Sequence, residues 1–301
     1  MPVDMENIKK LREKTGAGIL DCKSALEKTG GDMDKATEIL RKKGFQVAEK
    51  KAARVTSEGR VGAYIDPQGK VGVLLELDCE TDFVARNQVM EELSRDLSLH
   101  IATTNPLAID QEDTSEGGKG VPKEKFLMNQ PFIKDRTHSV RDIVTSSIAK
   151  LGENIKVKRF ARFETTQGRI ASYIHFNSKI GVLLELANSQ IEDEGMEQLL
   201  KDLCMQVAAT NPLVVSREAL PPDVLEKQKE LFRSAASGKP PQIVEKIIQG
   251  KMESFYKENC LLEQPFIKDD TQSVKDIFSK GVAKVGKDLR IKRFARFEIG
   301  R

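Results

Sequence analysis

The sequence contains no tryptophan, and only three of its 301 residues are tyrosine and three histidine. It also lacks a long apolar run: Val71–Leu77 and Ile180–Leu186 are the longest nearly uninterrupted stretches, far below the roughly 18 residues that a bilayer-spanning helix needs. No membrane span is therefore expected. Its four cysteines, Cys22, Cys79, Cys204 and Cys260, lie dozens of residues apart with no CxxC pair, which argues against a zinc site and for reduced thiols. Charge of one sign is missing too. The 49 basic and 46 acidic side chains leave a net charge of +3, without the concentrated basic face of a nucleic-acid-binding domain. Residues Met1 to Lys14 carry scattered charges, no signal-peptide core and no arginine-rich presequence pattern, so a cytoplasmic location is expected.

What is present is enough apolar material for a core: 39% hydrophobic residues and 21 glycines. The length suggests about two domains. More informative is an internal repeat. Gly59-Arg60-Val61, Tyr64-Ile65 and Lys70 to Leu77 return 109 residues later as Gly168-Arg169-Ile170, Tyr173-Ile174 and Lys179 to Leu186. Thr104-Asn105-Pro106-Leu107 returns after 106 residues at Thr210 to Leu213. Gln130 to Asp135 and Lys158 to Glu164 return after 134 at Gln264 to Asp269 and Lys292 to Glu298.

Each copy predicts a β-hairpin, turning at Asp66 to Gly69 or Phe176 to Ser178, between runs rich in valine, isoleucine and tyrosine. A helix follows, with Leu93, Leu97 and Ile101, or Leu199, Leu203 and Val207, at four-residue spacing, ended by Asn-Pro. A shorter helix around Val140–Ile143 or Val274–Ile277 precedes a closing strand, Ile155–Phe163 or Leu289–Phe297. The prediction is an antiparallel α+β unit used twice, over residues 56–165 and over 166–218 with 260–301.

The changes of offset mark what only one copy has. Copy one carries three residues more between Leu77 and Leu93, in the acidic loop Asp78 to Asn87, where copy two has the plain Ala187 to Asp193. Copy two carries 28 residues more between Leu213 and Gln264, predicting a helical hairpin at 219–259. Pro221-Pro222-Asp223 starts its first helix, Ser237-Gly238-Lys239-Pro240 ends it, and Ile243, Val244, Ile247, Ile248, Met252, Phe255 and Tyr256 stripe the second. Such a pair can zip as an antiparallel coiled coil.

Residues 1–55 belong to neither copy and predict three short helices: one carrying Ile8 and Leu11, one Ala25 and Leu26, one Ala36, Ile39 and Leu40 before Gly44. Glu49 to Arg54 reads as a charged tether.

Several chemical motifs fail. Gly16-Ala17-Gly18 and Gly117 to Gly120 lack the Gly-Lys-Ser/Thr of a phosphate loop. Asp78, Glu80 and Asp82 begin like a calcium loop, but Phe83 stands at its glycine and Val89 at its glutamate. His100, His138 and His175 have no nucleophile motif beside them. Lys158 to Phe163 interleaves basic and aromatic residues, yet departs from the RNA-binding pattern at its glycine, and strand alternation accounts for it.

Leu11-Arg12-Glu13-Lys14-Thr15-Gly16-Ala17-Gly18, then Asp21-Cys22-Lys23, Thr81-Asp82-Phe83-Val84-Ala85, the duplicated core and Ser237-Gly238-Lys239-Pro240 together resemble the elongation factor Ts family, which recharges elongation factor Tu by releasing its GDP. The likeness covers nearly the whole chain. It implies that the N-terminal bundle is ubiquitin-associated-like and packs on a helix of the GTPase through Arg12, Ile19 and Leu20. It implies that the loop Thr81, Asp82, Phe83 and Val84 carries exchange, with Asp82 and Phe83 entering near the magnesium site. His175 matches a further contact, and Ile267 an apolar contact to the GTPase's other domains. No covalent chemistry, cofactor, membrane or direct nucleic-acid contact is implied, and a homodimer stays open. Some members continue into a helical tail; this chain stops at Arg301, so contacts from such a tail are not expected. Two other classes remain: an RNA- or ribosome-associated protein using the basic strands, and an adaptor whose bundle recruits a partner.

Overall fold

The structure, a computed structural model, describes residues 4–111, 120–188, 194–238, 240–283 and 289–301. The readings placed on Gly117 to Lys119, on Ser189 to Asp193 and on Lys239 fall outside these. Three helices come first: α1 (Met5–Thr15), α2 (Ile19–Lys28) and α3 (Met33–Lys51). Copy one follows as β1 (Glu58–Ile65), β2 (Val71–Cys79), α4 (Asp82–Ala85), α5 (Gln88–Thr104), β3 (Pro131–Phe132), β4 (Asp135–Ser139), α6 (Val140–Leu151) and β5 (Ile155–Glu164). Copy two contains β6 (Arg169–Ile174), β7 (Ile180–Ala187), α7 (Glu194–Thr210), α8 (Pro222–Ala235), α9 (Pro241–Asn259), β8 (Pro265–Phe266), β9 (Asp269–Ser273), α10 (Val274–Ala283) and β10 (Arg290–Glu298). This is a mixed α+β fold.

Each copy forms a three-stranded antiparallel sheet, in the order β1-β2-β5 and β6-β7-β10. The central strands β2 and β7 are covered on both faces, which is why they read as unbroken apolar runs rather than alternating ones. On one face, Val73, Leu75 and Leu77 pack with Leu93, Leu97 and Ile101 of α5, as Val182, Leu184 and Leu186 pack with Leu200, Leu203 and Val207 of α7. On the other face the sheets meet each other through Val61, Leu74, Phe163, Ile170, Leu183 and Phe297. The contact is reciprocal. The Val61 amide donates to the Ser178 carbonyl (2.7 Å) and the Ile170 amide to the Gly69 carbonyl (2.8 Å), so each hairpin turn seats on the other copy's first strand. Close approach requires Gly72 and Gly181, where a Cβ would fall 2.5 Å from Ile170 and 2.5 Å from Val61 respectively.

The doubled Lys-Arg of each closing strand has a structural use. A shift of register opposite Glu76 and Leu77 leaves Lys158 as an extra residue in β5, and the same shift leaves Lys292 extra in β10. A bulge of this kind lets two consecutive side chains reach one point, which a regular strand forbids. Lys158 (3.1 Å) and Arg159 (2.6 Å) both pair with buried Glu76, and Lys292 (2.8 Å) and Arg293 (2.6 Å) with buried Glu185. Burial pulls the Glu185 carboxyl upward, but the hydrogen bonds from Lys292 and Arg293 outweigh it and hold the group below its ordinary value. Each arginine also stacks on the opposite copy: Arg159 lies 4.5 Å from the centre of the Phe297 ring and Arg293 4.1 Å from that of Phe163. Strand alternation alone therefore did not account for the motif.

The N-terminal helices close around Ile8, Leu11, Cys22, Ala25, Leu26, Ala36 and Leu40. The expectation that the third helix ends before Gly44 and is followed by a tether is corrected: α3 runs on to Lys51. Gly44 sits mid-helix, where its missing side chain lets α3 approach α6; a Cβ there would lie 3.8 Å from both Ala149 and Thr145. Packing against α6 offsets the ~1 kcal/mol that glycine costs a helix interior.

Helices α8 and α9 pack against each other, and Ile248 and Met252 of α9 are buried. Ile243, read as part of the second helix's stripe, is instead exposed, as is Leu231 of α8.

Candidate functional site

The segment that only copy one carries is not the open loop its acidic composition suggests. Thr81 adopts an extended conformation (φ −129°, ψ 156°) and its hydroxyl accepts from the Val84 amide at 3.4 Å, starting the one-turn helix α4. Asn87 then caps α5 by accepting from the Val89 amide at 2.9 Å. Two caps six residues apart force the chain into a tight protrusion. Its base is secured by buried Ala85 and half-buried Val84, while Phe83 at its crest is 84% exposed. Asp82 pairs with Arg86 at 2.8 Å.

The protrusion is held from behind. Glu153, just after α6, accepts from the Thr81 amide (3.0 Å) and the Thr81 hydroxyl (2.7 Å). In return, Glu80 accepts from the Asn154 amide (2.7 Å) and pairs with Arg54 (3.3 Å). The Asn154 amide foremost, and Arg54 after burial's opposing pull, hold the Glu80 carboxyl below its ordinary value. The Asn154 side chain donates to the carbonyls of Ala52 (3.3 Å) and Arg54 (3.0 Å), and Lys51 donates to that of Gly152. Beneath this, burial and then the Glu153 charge push the Cys79 thiol up to about 12, leaving it an inert apolar filler.

Arg12, Ile19 and Leu20 are brought together: with Gly18 they line one open groove, shared with Ala149 and Lys150 of α6. Ile19 is 50% and Leu20 80% exposed at the start of α2, neither being used by the bundle's own core. His175 occupies the β6–β7 turn, its Nδ1 2.9 Å from the Tyr173 hydroxyl and its ring 4.5 Å from that of Phe176, which is 89% exposed. That turn is tied to β1 through Ser178 and through the Lys179–Glu58 pair (2.7 Å), and β1 reaches the protrusion through Arg60, which donates to the Ala85 carbonyl (3.4 Å). Ile267 lies apart, in the β8–β9 turn, half-exposed, its amide donating to Gln206 (2.8 Å).

A family model described as Elongation factor TS matches residues 26–119 and 127–301. An elongation factor Ts of Aquifex aeolicus (strain VF5) is 42% identical over 302 residues, covering 100% of this chain and 99% of its own length. One of Clostridium botulinum (strain ATCC 19397 / Type A) is 40% identical over 300 residues, covering 99% and 92%. The chain belongs to the elongation factor Ts family.

For a member of the elongation factor Ts family, three side chains around the candidate site escape sequence reading. Phe176 looks like an ordinary turn residue, and Arg60 like an ordinary strand residue. Glu153 did leave a signal, since the matching position of copy two is Lys287, but it is 72 residues from Thr81, which it holds. No described helix is long and apolar enough to cross a membrane.

A further buried carboxyl, Asp78, lies near the end of β2, 3.7 Å from Lys158. Burial first, and the neighbouring Glu76 carboxylate second, push Asp78 up to about 6. Copy two has Ala187 at the matching position, so the scaffold does not need this group. A carboxyl whose folded pKa is raised favours folding while protonated, and that advantage is lost as pH rises through about 6. Asp78→Asn is therefore expected to melt higher than the wild type at pH 7 to 8, with the difference shrinking toward zero near pH 4. Thermal melts across that range check it, and an unchanged difference at all pH values refutes it.

Proposed function

We propose that this chain binds elongation factor Tu carrying GDP and accelerates release of the nucleotide, allowing GTP to load. The observation that carries the reading is Phe83, a large apolar ring displayed at the crest of a doubly capped turn and left 84% exposed. Exposing such a ring gives up about 1.5–3 kcal/mol of burial. A partner conformation that buries it recovers this, which corresponds to roughly a ten- to hundredfold bias at 1.4 kcal/mol per decade. If the accepting conformation is the loosened, nucleotide-free GTPase, linkage does the rest. Whatever factor the exchange factor removes from nucleotide affinity, the nucleotide removes from its own. Asp82 enters beside Phe83 near the magnesium site, where a carboxylate competes for the shell that holds the β-phosphate. The step needs no covalent chemistry and no cofactor.

In this reading residues 1–55 are a ubiquitin-associated-like anchor, docking a GTPase helix through Arg12, Ile19 and Leu20. The two repeats, 56–165 and 166–218 with 260–301, present the turn, His175 and Ile267, and the hairpin 219–259 is an antiparallel coiled coil. The protein works where elongation factor Tu works, in the cytoplasm. Engagement of Lys158, Arg159, Lys292 and Arg293 in internal pairs weighs against an RNA-binding use of the basic strands.

The test is release of fluorescent GDP from elongation factor Tu in excess unlabelled nucleotide. Acceleration by catalytic amounts of the chain is expected, and no acceleration rejects the reading. For the anchor, Leu20→Ala is expected to weaken the complex about tenfold, or about 1.4 kcal/mol, with an unchanged melting temperature; equal affinity by calorimetry would remove Leu20 from the interface.

A further inference from the structure

Resting on the exchange reading above, the geometry points to Glu153 as the positioning residue of the exchange turn: its carboxylate clasps Thr81 and thereby fixes how Asp82 and Phe83 are presented. Thr81 is the pivot of the protrusion, because its hydroxyl caps the one-turn helix that carries both residues. A single helical turn closes too few hydrogen bonds to hold itself. The cap must itself be anchored, and Glu153 supplies the anchor twice, accepting from the Thr81 amide at 3.0 Å and from its hydroxyl at 2.7 Å. With the hydroxyl proton turned toward Glu153, the oxygen's lone pairs remain free to accept from the Val84 amide, so clasp and cap are compatible. The reciprocal bond from the Asn154 amide to Glu80 fixes the residue before Thr81 at 2.7 Å.

The duplication provides an internal comparison. Lys150-Leu151-Gly152-Glu153-Asn154 of copy one corresponds to Lys284-Val285-Gly286-Lys287-Asp288 of copy two. The copy with the Thr-Asp-Phe segment has the acceptor, and the copy without it has an ammonium group, which cannot accept. Glu153 is therefore matched to the protrusion rather than to the shared scaffold.

The test uses the full chain in the GDP-release assay, with release rate followed against factor concentration for Glu153→Ala, Glu153→Gln, Phe83→Ala and the Phe83→Ala/Glu153→Ala double variant. Glu153→Ala is expected to lower the maximal release rate about tenfold while the half-saturating concentration stays within about threefold, as for a misplaced rather than a missing contact. Glu153→Gln keeps the shape and one acceptor oxygen and should fall between. In the Phe83→Ala background, Glu153→Ala should add clearly less than its full tenfold, since the part of its effect that runs through the ring's placement is already gone and only the part through Asp82 remains. A wild-type rate for Glu153→Ala, or a full additional tenfold loss in the double variant, overturns the assignment. Should Phe83→Ala itself exchange at the wild-type rate, the parent reading fails and this one with it; slow Phe83→Ala beside normal Glu153→Ala and Glu153→Gln overturns only the clasp.

Discussion

Phe83→Ala is expected to slow GDP release from elongation factor Tu by about ten- to a hundredfold, a loss of about 1.4–2.7 kcal/mol of exchange-state stabilisation, while melting at the wild-type temperature. The two halves of this expectation have one cause. The ring is 84% exposed and its backbone is fixed by Thr81 and Asn87 rather than by its own packing. Removing it therefore costs the free protein almost nothing. What disappears is the apolar surface available to the loosened GTPase. The loss should lie in the maximal rate more than in the concentration for half-maximal rate, because Leu20, Ile19 and Arg12 occupy a separate groove. Stopped-flow traces at several factor concentrations, with a thermal melt alongside, decide it. Wild-type release, or a lowered melting temperature that accounts for the loss, would remove the turn from the mechanism.

The second large effect concerns the scaffold. Leu183→Ala should destabilise the protein by about 2–5 kcal/mol, the range for deleting a fully buried leucine in a core that cannot collapse onto the gap. Leu183 is fully buried where the two sheets meet, among Val61, Leu74, Phe163, Ile170 and Phe297. Its neighbours come from both copies, and each copy's hairpin turn is also hydrogen-bonded into the other. The substitution should therefore lower one shared unfolding transition of both repeats. Denaturant unfolding followed by two probes, one in each copy, checks this. Destabilisation confined to copy two would show that the repeats are energetically separate.

Much of this architecture can be read before the structure is known, because the two copies check each other: hairpin, long helix, short helix and closing strand recur with the same apolar spacing. The failures have physical causes. Gly44 carries a helix-stop signal, and it is overridden because the close approach of Ala149 and Thr145 is a tertiary fact invisible in the local sequence. The turn at Asp82–Ala85 is too short to show helical periodicity, and only its threonine cap hints at it. The Lys158-Arg159 pair follows alternation until a bulge inserts one residue, and a bulge leaves no mark in composition. Of the candidate site, the residues proposed to touch a partner carry chemical signatures in the sequence: an exposed apolar pair, and a phenylalanine among acids. Glu153, which acts on another residue of the same chain, differs from Lys287 of copy two, but that difference gains a meaning only once the fold sets it beside Thr81.

The length of α3 has a last consequence. Had Glu49 to Arg54 been a flexible tether, the groove around Leu20 and the crest at Phe83 would behave as two sites joined by a polymer, and the second contact would form at an effective concentration set by linker length. Because α3 instead lies along α6 and its end is bound to Gly152 and Asn154, the spacing of the two sites is preset. Any surface that matches this spacing gains avidity without the entropy of searching, and one that misses it by a few ångströms gains none. In the proposed function, the chain would thus select its GTPase by a distance as well as by contacts.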